Sequence, residues 1–332
     1  MISFQGKGLL CWLPVLFSFF VIPGIELFVK PESQNLSEVE EDIARKNKAY
    51  DLILYMTVFF QYGLLWFFLE RINENGLSYI DIFGRVLSMG LLCGTFGINV
   101  AHELGHRVNL FEQFLAKMLL LTSLYMHFFI EHNKGHHKHV ATEHDPSTAK
   151  FRQSVYAFWI QTLWGTYKSA WIIAIADAKK NNRKAAFINN EMMLFQIIQL
   201  AFVSLVFFIF GWKVMLYFIS AALIGGLLLE TVNYIEHYGL VRKKTSENLF
   251  ERVQPHHSWN SNHVIGRLML FELSRHSDHH YLASRKYQIL RHMDGAPQMP
   301  TGYPGMIILS LLPPIWFHVM HRQMKKYHLI NE

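Results

Sequence analysis

Five stretches of this sequence are apolar for long enough to cross a lipid bilayer, and they constrain the fold more than any other feature. A crossing helix needs about 20 mostly apolar residues. The stretches are Leu9 to Val29, Leu52 to Leu69, Tyr79 to about Ala101, Met193 to Phe210 and Val214 to Thr231. Pro14 and Pro23 lie inside the first, which a membrane helix tolerates when neighbours re-satisfy its backbone. Only 17% of the 332 residues are charged, against roughly 25% in soluble proteins. The pattern predicts an all-α integral membrane protein, a single domain over residues 1–332. It has about five transmembrane helices, interfacial helices and a His-rich cap on the cytoplasmic side.

The two cysteines, Cys11 and Cys93, sit in apolar runs and read as packing residues, not as a disulfide or a metal site. The formal net charge is +6 without a dense Lys/Arg run, which suits loops facing anionic lipid and excludes a nucleic-acid groove.

The 19 histidines are the compositional outlier, and they cluster. His102 and His106 are four residues apart, as are His132 and His136, with His137 adjacent. His276, His279 and His280 follow at i, i+3 and i+4, and His237 closes the fifth apolar run. Residues three or four apart share a helix face. Each cluster is therefore expected to aim two or three imidazoles at one volume.

The apolar segment Phe111 to Ile130 has a His cluster at each end. Crossing would put those clusters about 30 Å apart, so the segment is predicted to lie in the interface or to dip in and return. Tyr156 to Ala176 reads as an interfacial helix, and the Pro-broken run Tyr303 to Val319 is a poor span. Five crossings place 30–51, 102–192 and 238–303 on one side, with most of the Lys and Arg. The positive-inside rule makes that side cytoplasmic.

Imidazole suits Zn, Cu, Fe and Ni. Nine candidate ligands exceed the needs of one ion and suit two. Neutral donors beside an apolar phase point to iron and O2 chemistry on a lipophilic substrate. Glu103, Glu131, Glu236 and Asp278 each adjoin a histidine and are candidates to accept the far N–H of a ligating ring. His139 and His144 are candidates for the same surroundings. His256, His257 and His263 are read as orienting ligands or meeting a donor protein. His127, His292, His318, His321 and His328 read as ordinary interfacial or solvated residues.

Four stretches carry a resemblance: 102–106 (His-Glu-Leu-Gly-His), 131–137 (Glu-His-Asn-Lys-Gly-His-His), 233–240 (Asn-Tyr-Ile-Glu-His-Tyr-Gly-Leu) and 275–280 (Arg-His-Ser-Asp-His-His). With 256–263 and 300–305, they make the chain resemble the membrane-bound alkane 1-monooxygenases, within the wider group of His-box di-iron hydroxylases and fatty-acid desaturases. The resemblance covers roughly residues 12 to 320. It implies two irons held by His102, His106, His132, His136, His137, His237, His276, His279 and His280. It implies terminal hydroxylation of medium- to long-chain alkanes taken from the bilayer, with O2. The electrons would come from rubredoxin and its NAD(P)H-dependent reductase, and the location would be a bacterial-type inner membrane.

Two features depart from that pattern: the family usually has six spans, and no rubredoxin is fused here. A separate acidic donor is expected to be steered by basic residues such as Lys179, Lys180, Arg183, Arg242, Lys243 and Lys244. The alternatives are another His-box enzyme, a fatty-acyl desaturase or xylene-type hydroxylase, and a non-enzymatic metal-handling membrane protein.

Overall fold

A computed structural model describes residues 1–180, 190–247 and 249–330. Asn181, Asn182, Arg183 and Lys184 of the basic stretch lie outside the described residues. Helices dominate, and five are long and apolar enough to cross a membrane: Gly8–Glu26, Lys48–Arg71, Tyr79–Gly105, Glu191–Phe210 and Trp212–His237. Each predicted run is found, with ends shifted by a few residues. Their outward faces carry bare apolar side chains such as Phe59, Leu200 and Phe208, the surface that lipid would cover.

The chain forms two compact units. The first comprises Met1–Phe17, Ala49–Gly135 and Thr166–Leu229. Its core gathers Phe4, Leu65, Phe68, Met89, Val206 and Phe218. Tyr79–Gly105 starts with a reciprocal cap, in which Ser78 N–H donates to Asp81 Oδ2 (2.9 Å) and Asp81 N–H donates to Ser78 Oγ (3.2 Å). Its middle packs backbone to backbone against Trp212–His237. A Cβ on Gly225 would stand 2.6 Å from Cys93 Cβ and 3.1 Å from Gly94 N. Small residues at such crossings let membrane helices approach closely.

The segment with His clusters at both ends does not cross. Leu110–Thr122 is a helix of 13 residues, about 20 Å long. A turn then follows in which Leu124 takes a left-handed φ of 49°, and helix resumes at Phe128. The break is what turns the chain back.

The second unit comprises Ser18–Lys48, His136–Gly165 and Glu230–Glu332. Phe158, Tyr234, Tyr238, Trp259, Tyr303 and Trp316 fill its interior. The stretch 258–262 is threaded through it. Trp259 N–H donates to Glu236 O (2.8 Å), Asn260 N–H to Pro297 O (2.9 Å) and Ser261 N–H to Ser274 O (3.0 Å). Trp259 Nε1 donates to Tyr238 O (3.0 Å). These bonds fix the end of Trp212–His237 and the short helix His276–Tyr281, because Ser277 N–H donates to Asn260 Oδ1 (2.8 Å).

The predicted interfacial helix is Val155–Lys180. It buries Phe158, Thr162, Thr166, Ala170, Ala174 and Ala178 in an i+4 stripe and exposes Ile160, Trp164 and Ile172. Its outer face is thus as apolar as those of the spans. The run Tyr303 to Val319 is two helices, Tyr303–Ser310 and Pro313–Lys326, divided where the Pro313-Pro314 pair denies backbone donors.

Candidate metal centre

In the second unit, His136, His237, His276 and His280 turn one nitrogen each toward a common point, all four nitrogens within 4.8 Å of one another. All four side chains are buried. His237 Nε2 is 3.1 Å from His276 Nε2, and His280 Nε2 is 2.9 Å from the same atom.

The far nitrogens explain why those rings hold still. His136 Nδ1 is 3.0 Å from Asp145 Oδ2. His237 Nδ1 is 3.3 Å from the backbone oxygen of His257. His276 Nδ1 faces Glu236 Oε1 at 3.2 Å, and Tyr303 donates its hydroxyl to that same oxygen at 2.8 Å. Acceptors at Nδ1 of His136 and His237 favour the ring proton there and a lone pair on Nε2, and the Glu236 carboxylate lies toward Nδ1 of His276. Lone pairs on His237 and His276 at 3.1 Å repel unless a cation lies between them. The donor set therefore fits a metal ion, and neutral imidazole suits iron among others.

Electrostatics agree with neutral rings. Burial holds His280 well below 6.5, and the neighbouring His137, His276 and His136 rings add to the effect. A second pair in this unit, His137 and His279, has its Nε2 atoms 3.1 Å apart.

In the first unit, His102, His106 and His132 form their own group. Their ring centroids are 4.5 to 5.1 Å apart, and His106 Nε2 is 3.1 Å from His132 Nε2. Phe128 stacks on His132 at 4.6 Å. Arg107 sits below, buried, donating to Glu103 Oε1 (2.6 Å) and Asp51 Oδ1 (3.3 Å). Its charge compensates buried carboxylates at a membrane helix end.

The family model described as fatty acid desaturase matches residues 82–310. Alkane 1-monooxygenase 2 of Pseudomonas aeruginosa is 36% identical over 323 residues, covering 97% of this chain and 86% of that protein. The chain belongs to the alkane 1-monooxygenase family. Another alkane 1-monooxygenase, from Ectopseudomonas oleovorans, is 37% identical over 95% of this chain and 76% of its own. The xylene/toluene monooxygenase hydroxylase component of Pseudomonas putida is similar at 30% over 77% of this chain and 68% of its own.

Three expectations drawn from spacing need correction. His132 and His136 do not share a group: His132 Nε2 lies 3.1 Å from His106 Nε2, while His136 joins the four-His set. His276, His279 and His280 do not aim at one point either. His276 and His280 join the four-His set, while His279 lies against His137. His127 is not solvated: it is buried, with its ring 4.3 Å from that of Tyr125 and 5.6 Å from that of Tyr167.

Of the adjoining acids, Glu236 faces a ring of the four-His set, though at His276 and not at its neighbour His237. Glu103 is held by Arg107, and Asp278 accepts from the Arg291 backbone N–H at 2.8 Å with Arg285 Nε at 3.3 Å. Asp145 was missed. Its signal was the turn-like stretch 144–147 eight residues after His136, where Asp145 also takes bonds from Ser147 N–H and Thr148 Oγ1.

His257 does meet a ring of the four-His set, but through its carbonyl. Glu251, His256 and His257 bring ligand-type atoms close together as well. His257 Nδ1 accepts the Gln254 N–H at 2.9 Å, which keeps the ring proton on Nε2 and spoils that nitrogen as a ligand. Arg242 is no steering residue. It is buried and donates to the backbone oxygens of Glu251 (2.5 Å) and Lys138 (3.0 Å). Lys244 pairs with Glu143 at 2.7 Å.

Proposed function

We propose that this chain hydroxylates the terminal carbon of medium- to long-chain n-alkanes, using O2 and two electrons. The balance is RH + O2 + 2e⁻ + 2H⁺ → ROH + H2O. The nine histidines named from the sequence hold two irons, one of them in the four-His set. The observation that carries this reading is that set of buried rings, three of them backed at Nδ1 by Asp145, Glu236 or the His257 carbonyl. Iron bound there supplies the activation of O2.

The protein's own part is to fix tautomer and ring orientation, and to keep the site dry. Asp145 holds the ring proton at Nδ1 of His136, Glu236 lies against Nδ1 of His276, and Tyr303 steadies Glu236 from behind. Family membership and the bare apolar faces of the spans support an alkane drawn from the bilayer. The electron donor is a separate rubredoxin reduced by an NAD(P)H-dependent reductase. The Lys/Arg distribution supports an inner-membrane protein with its histidines toward the cytoplasm. Burial of the four-His set speaks against a metal-handling mouth, which needs exchangeable ligands.

The test is turnover in membranes supplied with rubredoxin, reductase, NADH and octane or hexadecane, alongside metal analysis. About two irons per chain and 1-alkanol are expected. Acyl unsaturation without 1-alkanol, or a stoichiometric zinc pair, overturns the proposal.

A further inference from the structure

Away from the histidine groups, the second unit carries a cavity of about 650 Å³ whose wall is cationic. Arg152, Arg322 and Lys325 line it with His318 and His321, over an apolar floor of Phe151 and Ile330. His318, Arg322 and Lys325 are spaced i, i+4 and i+7 on Pro313–Lys326 and so share a face. Arg152 is brought over by a left-handed turn, φ 63°, pinned where its N–H donates to the Tyr238 hydroxyl at 3.0 Å. No lining residue is acidic, and among the described residues none of the three cations has a carboxylate in ion-pair reach. Three unpaired cations around one concavity form a ready site for an anion.

The flanks say which anion. Leu312 and Ile315, at the start of the same helix, are 49% and 51% exposed. Tyr156 and Ile160 lie alongside, 48% and 76% exposed, and the Tyr156 hydroxyl donates to Leu311 O at 2.8 Å. A bare apolar strip thus leads into the basic pocket. An acidic protein surface would leave that strip uncovered, whereas an amphiphile matches both parts.

We propose that this pocket binds the phosphate of an anionic phospholipid headgroup, with the acyl chains running along the Leu312, Ile315, Tyr156 and Ile160 surface. The wall reaches the residue that follows the long span as well, since the Tyr238 hydroxyl lies 3.1 Å from His321 Nε2.

The experiment is native mass spectrometry of the purified full chain titrated with dioleoyl phosphatidylglycerol. Retention of about one such lipid per chain is expected, with much weaker retention of dioleoyl phosphatidylcholine. The triple variant Arg152→Gln/Arg322→Gln/Lys325→Gln should lose affinity on the order of 100-fold. The exposed single change Lys325→Gln should lose about fivefold and covers the case in which the triple variant fails to fold. Leu312→Ser/Ile315→Ser should also weaken retention. Equal retention in wild type and Lys325→Gln, equal binding of the two lipids, or displacement by equimolar inorganic phosphate overturns the proposal. So does loss of rubredoxin binding in these variants with lipid retention unchanged, which assigns the surface to an acidic protein.

Discussion

Asp145 Oδ2 lies 3.0 Å from His136 Nδ1, and both side chains are almost wholly enclosed. Nine residues apart in sequence, they are joined because the turn after His139 folds back under the ring. Asp145→Asn keeps the shape but removes the charge that fixes the tautomer. Iron affinity or turnover should fall roughly 10- to 100-fold, with secondary structure intact. Metal analysis of the purified variant and 1-octanol formation measure this.

His276→Ala and His280→Ala each remove a donor from the four-His set. Both variants should insert in the membrane at normal levels and hydroxylate nothing. Retained turnover in either contradicts its place as a ligand.

Tyr303 and His276 share Glu236 Oε1. Tyr303→Phe removes one bond to a carboxylate and leaves the imidazole its partner, so it should cost about 1.5–3 kcal/mol of stability with iron retained. Glu236→Leu should lose iron. Thermal unfolding in detergent and iron content separate the two effects.

Gly225→Ala places a methyl against backbone atoms that cannot swing aside. A cost of about 1–3 kcal/mol is expected, seen as a lower unfolding temperature. Gly63→Ala, which meets nothing within 4 Å, is the neutral control.

Burial pushes His127 down to about 4. In the unfolded chain the ring takes its proton near pH 6.5. Between those values the unfolded state binds one more proton than the native state, so stability falls as pH drops from 6.5 to 4 and levels off below. The loss is roughly 3 kcal/mol. His127→Phe should flatten that part of the stability curve in denaturant titrations at stepped pH.

Much of this was legible in the sequence. Hydropathy located the spans, and the geometric conflict between crossing and His clusters at both ends correctly turned Phe111 to Ile130 back. The partition of the histidines was not legible, because it depends on which rings tertiary folding brings together. A spacing of four puts two rings on one helix face, but it does not say which other histidines that face will meet. The second layer was hidden as well. Asp145, the His257 carbonyl and Tyr303 reach the rings through tertiary folding, and a backbone oxygen has no letter in the sequence. Adjacency misled as well, since Glu236 serves His276 and not its neighbour. Arg242 looked like surface charge because a Lys-rich run surrounds it, yet its guanidinium satisfies backbone carbonyls.

The helix Trp212–His237 has 26 residues, about 39 Å at ~1.5 Å per residue. The hydrocarbon layer it crosses is about 30 Å thick. Some six residues are therefore surplus, and they are the ones that end in His237. With Trp212 at one hydrocarbon edge, the ring stands about 9 Å above the other, at headgroup depth. A span longer than the layer it crosses can meet a thicker bilayer by standing upright and a thinner one by tilting, so the surplus is a tolerance for membrane thickness.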